Sequence, residues 1–357
     1  MKNRGKKFKM IITEEQIALA EQYEACQDSL DWLRETPRTW ENLANYNINW
    51  LIWALDEIPF PEEILEHLSE NYDEVVRGSV ISNSNITSKI LSKLSEDENF
   101  WVKKKIAGCT KTPSEILTKL AQDPDFNIRH EISANPSTPS SVLEVMYQEN
   151  TYNIYVGLAK NPSTPVYILE SLIKNHNHDY YDYIQVMIAK NPSATKKIID
   201  YLIEHGDTVT KVYLARNPNI SIEQTKKLVE YNNYYINENF AFYSKYDEIH
   251  RILVKIPNDN VKANLIRNFS VSSEILSEIL NGFSRYTYTI ENIVVHPNVT
   301  AEILDSIARK YPFLYSKVIA QVSVAEDTLR YIMTNTFTSN VFIYDQAQER
   351  LNELCKK

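Results

Sequence analysis

Glycine is scarce, with six in 357 residues. So few glycines argue against a β-rich fold and against enzymes built on glycine loops that cradle phosphates. No Walker sequence, G-x-G-x-x-G, G-x-S-x-G or H-E-x-x-H occurs. The three cysteines, Cys26, Cys109 and Cys355, are too scattered for metal-ligand spacing and suit a reducing cytoplasm. No apolar run approaches the ~18 residues of a membrane span. The basic start is followed only by Met10-Ile11-Ile12 before Glu14, too short a core for a signal peptide. Basic charge is also short. The net charge is −9, which disfavours general nucleic-acid binding. Residues 1–9 hold five basic groups, residues 10–150 hold 25 Asp/Glu against 11 Lys/Arg, and residues 151–357 hold 22 of each. The acidity therefore sits in the first half.

What is present is a repeat. Ile132-Ser133-Ala134-Asn135-Pro136-Ser137-Thr138-Pro139 returns as Leu158-Ala159-Lys160-Asn161-Pro162-Ser163-Thr164-Pro165, then at Asn191-Pro192-Ser193 and Asn217-Pro218-Asn219. With the Asn as anchor, degenerate copies fall at Glu57, Asn83, Cys109, Phe242, Asn268, His296 and Gln321, in steps of 25 to 30. Apolar residues recur three before the anchor (Val80 to Val318), eight after it (Leu91 to Leu329) and eleven after it (Leu94 to Ile332). Helical spacing of this kind marks one buried face. Asn-Pro stops a short first helix. Thr-Pro is expected to start a longer second helix, with Thr as N-cap, Pro at the first helical position and a capping box in Thr112-Pro113-Ser114-Glu115. One such unit cannot bury its face alone, so the units must stack.

The expectation is an all-α chain, an α-solenoid of about eleven helix pairs of ~26 residues. Its parts are a basic flexible N-terminus (1–12), a Trp-rich helical cap (13–56), the repeat solenoid (57–335) and a C-terminal capping helix (336–357). The cap region holds Trp32, Trp40, Trp50 and Trp53, which read chiefly as shielding for the first repeat and secondarily as an exposed aromatic docking patch. It loosely resembles a Trp-rich helical segment of assorted bacterial and phage proteins, some of them immunity-like.

The Asn-Pro-x-Thr-Pro units, with Val102-Lys103 and Ile128-Arg129 before them, resemble the leucine-rich repeat variant (LRV) family over roughly residues 57–335. The resemblance implies a right-handed superhelix of paired helices, one of them possibly 3₁₀. The unit here is longer than the family's, which favours an α-helix in that place. The cysteine cluster that holds an iron–sulfur centre in the founding type has no counterpart, so no cofactor is carried over.

Candidate binding residues come from columns. The position before the anchor reads Lys160, Lys190, Arg216 and Arg267, interrupted at Ala241, and such a ridge would suit phosphates or an acidic partner. The plainer reading is helix-end cations that complement the dipole. A second basic column, six before the anchor, holds Arg77, Lys103, Arg129, Lys211 and Lys262. Tyrosines crowd the middle: Tyr152, Tyr155, Tyr213 and Tyr243 are candidates for an aromatic surface, beside Tyr167, Tyr234, Tyr235 and Tyr246. In the longest insertion, His176, His178, Asp179 and Asp182 offer metal-ligand types, but an inter-helix loop that binds no metal is the favoured reading. Together these point to a cytoplasmic protein-binding scaffold without catalytic residues, cofactor, metal or membrane association. The alternatives are a nucleic-acid-binding solenoid and an acidic decoy that occupies a nucleic-acid enzyme.

Overall fold

The structure, a computed structural model, describes residues 12–35, 39–40, 42–43, 47–174, 181–282, 287–336 and 339–355. Among these, every regular element is a helix, and consecutive helices pack neighbour on neighbour as an α-solenoid. No helix among them is long and apolar enough to cross a membrane. The chain forms two compact units, 1–193 and 194–357. The basic stretch 1–11 and the insertion residues 175–180, including His176, His178 and Asp179, lie outside the described residues.

In the first unit, the first helices of successive repeats stack on one another: Ile48–Glu57, Glu74–Val80, Phe100–Gly108, Phe126–Ala134, Tyr152–Lys160 and Tyr181–Lys190. The second helices, such as Ser114–Leu120 and Ser140–Tyr147, pack against the first helix that follows them, here Phe126–Ala134 and Tyr152–Lys160. The second unit repeats the plan, with Tyr234–Tyr243 on Asp259–Arg267. It ends with Val341–Leu354 packed on Glu326–Thr336. The three apolar columns are the core: Ile132, Leu158, Leu143, Leu169 and Leu172 are all essentially inaccessible. Each contributes about 1.5–3 kcal/mol by leaving water.

Most first helices begin at an Asp or Asn, while Tyr152–Lys160 follows Thr151 with no side-chain cap. Asp73, Asn99, Asp125, Asp207, Asn233 and Asn258 each accept a hydrogen bond from backbone N–H groups of the first turn. These helices are α-helical, as the unit length suggests, and 3₁₀ geometry is confined to Pro312–Leu314 among the described residues.

Two local expectations are corrected. The longer second helix holds only in part: Ser114–Leu120 has seven residues against nine in the preceding Phe100–Gly108, whereas Ile222–Glu230 has nine against seven in Thr208–Leu214. Thr does not cap the second helix in the Thr-Pro copies. Pro113, Pro139 and Pro165 are themselves the N-caps, without a side-chain cap, so Thr112-Pro113-Ser114-Glu115 forms no capping box. Pro holds the preceding Thr extended, and the helix starts one residue later. The hydroxyls of Thr112, Thr138 and Thr164 instead donate back to Ile106 O, Ile132 O and Leu158 O, each at 2.7 Å, and close the end of the first helix. Where Pro is missing, Thr87, Thr195, Ser221 and Thr300 do cap the second helix.

Of the four N-terminal tryptophans, Trp40 and Trp50 are buried and Trp32 and Trp53 half-buried. Trp40 meets Phe60 edge-on at 4.6 Å. None of the four is fully exposed.

Candidate functional site: breaks in an asparagine ladder

The anchor asparagines are buried and do one job repeatedly. Asn161 Nδ2 donates to Ser133 O (2.9 Å) and to Asn135 O (2.7 Å), both in the preceding repeat, while its Oδ1 accepts from Ser163 N–H (2.8 Å). Asn135 reaches Ala107 O and Cys109 O in the same way, and Asn191 reaches Ala159 O and Asn161 O. Asn83 bonds Leu55 O and Ile58 O, which makes Ile58, not Glu57, the anchor of its repeat. In the second unit Asn268 bonds Ala241 O and Ser244 O. A carboxamide suits this place because it offers two donors and an acceptor at one planar end. Those bonds satisfy carbonyls that helix ends leave bare.

His296 replaces the asparagine and copies it. Its Nε2 lies 3.2 Å from Asn268 O and its Nδ1 accepts from Asn298 N–H at 3.1 Å. Only the neutral ring protonated at Nε2 can do both. Burial pushes its pKa below the ordinary histidine value.

Ile58, Cys109 and Ser244 lack any such side chain, and a cavity opens at the last two. Cys109 carries a free thiol, a weak donor and acceptor that cannot make the asparagine's three bonds. Around it lies a cavity of about 560 Å³, lined by Ile81, Asn83, Trp101, Lys104, Lys105 and Lys111 among others. The second break is at Ser244. The step from Asn217 is one residue longer than the usual period, so Ser244 and not Phe242 occupies the anchor position, as its carbonyl bond from Asn268 marks. Ser244 Oγ accepts from Tyr246 N–H at 3.2 Å, which keeps half of the asparagine's role. The donor half is missing. A smaller cavity of about 120 Å³ opens there, lined by Ala215, Arg216, Asn217 and Tyr243.

The shift to Ser244 also corrects the ridge. Ala241 is buried, and the residue before the anchor is Tyr243. In the second unit the ridge column therefore runs Arg216, Tyr243, Arg267. The Arg216 guanidinium lies 5.3 Å from the Tyr213 ring and 4.7 Å from the Tyr243 ring. Three residues singled out in the sequence thus meet at one place. Among the described residues no carboxylate or carbonyl hydrogen-bonds to that guanidinium, which is exposed. Arg267 is exposed farther along the column. In the first unit, Lys160 and Lys190 are exposed at the ends of their helices, with Lys160 Nζ 6.0 Å from the Tyr183 ring.

Tyr155 does not belong to an exposed surface. It is buried, and its hydroxyl donates to Asn150 Oδ1 at 2.6 Å. It stands in the second basic column, one repeat beyond Arg129, and burial raises its pKa. That column is structural. Arg77 pairs with Asp97 (2.7 Å), Lys103 with Asp123 (3.1 Å) and Arg129 with Glu149 (3.1 Å), while Lys211 Nζ lies 4.4 Å from the Tyr231 ring. Tyr152 and Tyr213 are half-buried and Tyr243 is exposed.

The cavity at Cys109 was missed by the column search, which looked for residues that recur. The signal was the opposite one: Cys109 interrupts the anchor column between Asn83 and Asn135. No protein-family model and no curated protein matches the chain.

Proposed function

We propose that this protein is a cytoplasmic, non-enzymatic protein-binding scaffold, a divergent relative of the LRV solenoids with their right-handed stacking. The observation that carries the reading is Arg216. A guanidinium held between two tyrosine rings, with no acidic partner of its own, is a ready receptor for a carboxylate. Both rings lie within cation–π range of it, and a bidentate carboxylate pair is among the stronger polar contacts a surface can make. The small cavity beside it, backed by buried Asn217, gives the partner's side chain a recess. Support for a protein over a nucleic acid comes from charge. The chain is net acidic, and Arg77, Lys103 and Arg129 are already neutralised by ion pairs.

The test is capture of partners from native lysate, with and without nuclease, by the wild-type chain, Arg216→Glu and Tyr243→Ala. A nuclease-resistant partner lost by Arg216→Glu, with unchanged melting of the variant, supports the reading. Capture that nuclease abolishes favours the nucleic-acid solenoid. Capture by Arg216→Glu equal to wild type removes this site.

A further inference from the structure

The cavity at Cys109 has a defined chemical shape, because neighbouring repeats show what normally fills that place. By the register of Asn135 and Asn161, an asparagine at 109 would donate to Ile81 O and Asn83 O and accept from Lys111 N–H. Cys109 does none of this. Among the described residues, Ile81 O and Lys111 N–H have no hydrogen-bond partner, and Asn83 O receives only the Ile86 N–H. Two acceptors and one donor therefore converge on the cavity in the arrangement that elsewhere holds a primary carboxamide.

The surroundings add charge. Lys104, Lys105 and Lys111 line the cavity against one acid, Glu131, in a half of the chain that is otherwise strongly acidic. Lys105 Nζ stands 5.2 Å from the centre of the Trp101 ring, and Lys104 Nζ 3.6 Å from Glu131 Oε1. The Trp101 ring is fixed in place by Gly78: a Cβ there would lie 1.8 Å from the ring, so any larger residue would displace this wall. At about 560 Å³ the cavity falls in the range of small-ligand sites and far exceeds one asparagine side chain.

We propose that this cavity binds a primary carboxamide carried on an anionic ligand. The carboxamide completes the asparagine ladder in trans, and the lysines receive the negative charge. An asparagine or glutamine side chain in an acidic peptide has this chemistry, and so does a carboxamide-bearing nucleotide. The site is independent of Arg216, and it extends the protein-binding reading only if the peptide proves to be the source.

The experiment is isothermal titration of the full chain with three purified probes. They are a short acidic peptide containing one asparagine, the same peptide with aspartate in its place, and nicotinamide mononucleotide. Binding of the asparagine peptide but not its aspartate counterpart assigns the source to a protein partner. Binding of the nucleotide alone assigns the same chemistry to a small molecule. In either case Cys109→Asn, which supplies the carboxamide in cis, should weaken binding by at least about tenfold and raise the melting temperature, while Cys109→Ala leaves binding unchanged. Lys105→Glu gives an independent variant and should also weaken binding. Arg216→Glu should bind the probes as wild type does, so failure of the Arg216 site leaves this result readable. The proposal is overturned if no probe binds at millimolar concentration, if the asparagine and aspartate peptides bind equally with no nucleotide binding, or if Cys109→Asn binds like wild type.

Discussion

Replacing Asn161 by alanine should destabilise the first unit far more than its small size suggests. The side chain is fully buried and makes three hydrogen bonds, at 2.9, 2.7 and 2.8 Å. A typical intramolecular hydrogen bond contributes about 1 kcal/mol net, so the three account for ~3 kcal/mol. The variant also leaves Ser133 O without that donor, which adds about 1–2 kcal/mol, since a bereft buried group carries its desolvation penalty, while Asn135 O keeps the Thr138 N–H. The expected loss is therefore ~4–5 kcal/mol. Asn161→Asp should be no milder, because a carboxylate can still accept from Ser163 N–H but faces two carbonyl oxygens. Urea unfolding followed by far-UV circular dichroism measures both. A loss under about 1 kcal/mol for Asn161→Ala would refute the claim that the ladder joins repeats.

His296 gives the ladder a pH dependence. Its folded pKa is lowered by burial, so its stabilising contribution is full above the unfolded value of about 6.5 and is lost as pH falls through the lowered folded value; His296→Asn should unfold at more similar urea concentrations at pH 7.5 and pH 5 than wild type does. Asp97 is held below the ordinary carboxylate value chiefly by its bond to Arg77, so the contribution of this pair is complete above about pH 4 and disappears on acidification. Asp97→Asn should accordingly lower the neutral-pH melting temperature and flatten its acid limb. Thr138→Ala should lose about 0.5–1.5 kcal/mol by removing the hydroxyl bond to buried Ile132 O, which keeps the Asn135 N–H, and Thr138→Ser should recover most of it. Leu143→Ala should lose about 2–5 kcal/mol from the apolar column, and urea titration ranks the three variants.

The repeat, its period and its core columns were legible in the sequence because burial selects residue type directly: Ile132, Leu143 and their equivalents must be apolar wherever units stack. The asparagine was legible as a position, but its role was not. Asn-Pro reads as a helix stop from local rules alone, whereas the bonds from Asn161 run to the preceding repeat. Thr138 misled for a related reason. Thr-Pro before a helix looks like a cap, and only the three-dimensional turn shows its hydroxyl directed back to Ile132 O. Tyr155 looked like one of many surface tyrosines, although its place in the Arg77, Lys103, Arg129 column marks it as inward-facing. The meeting of Arg216, Tyr213 and Tyr243 depended on one extra residue before Ser244, which a period of about 26 conceals. The Cys109 cavity was hidden because it consists of residues that fail to repeat.

Amide hydrogen exchange resolved at single residues tests the ladder and its break together. The N–H groups of Asn85, Ser137, Ser163 and Ser193 are accepted by buried asparagine Oδ1 atoms at 2.8 to 3.0 Å, so they should exchange slowly. The N–H of Lys111 occupies the same position in the repeat whose anchor is Cys109, and it should exchange at least about tenfold faster. In Cys109→Asn the Lys111 amide should slow to match the others. Equal protection of Lys111 in the wild-type chain would contradict the account.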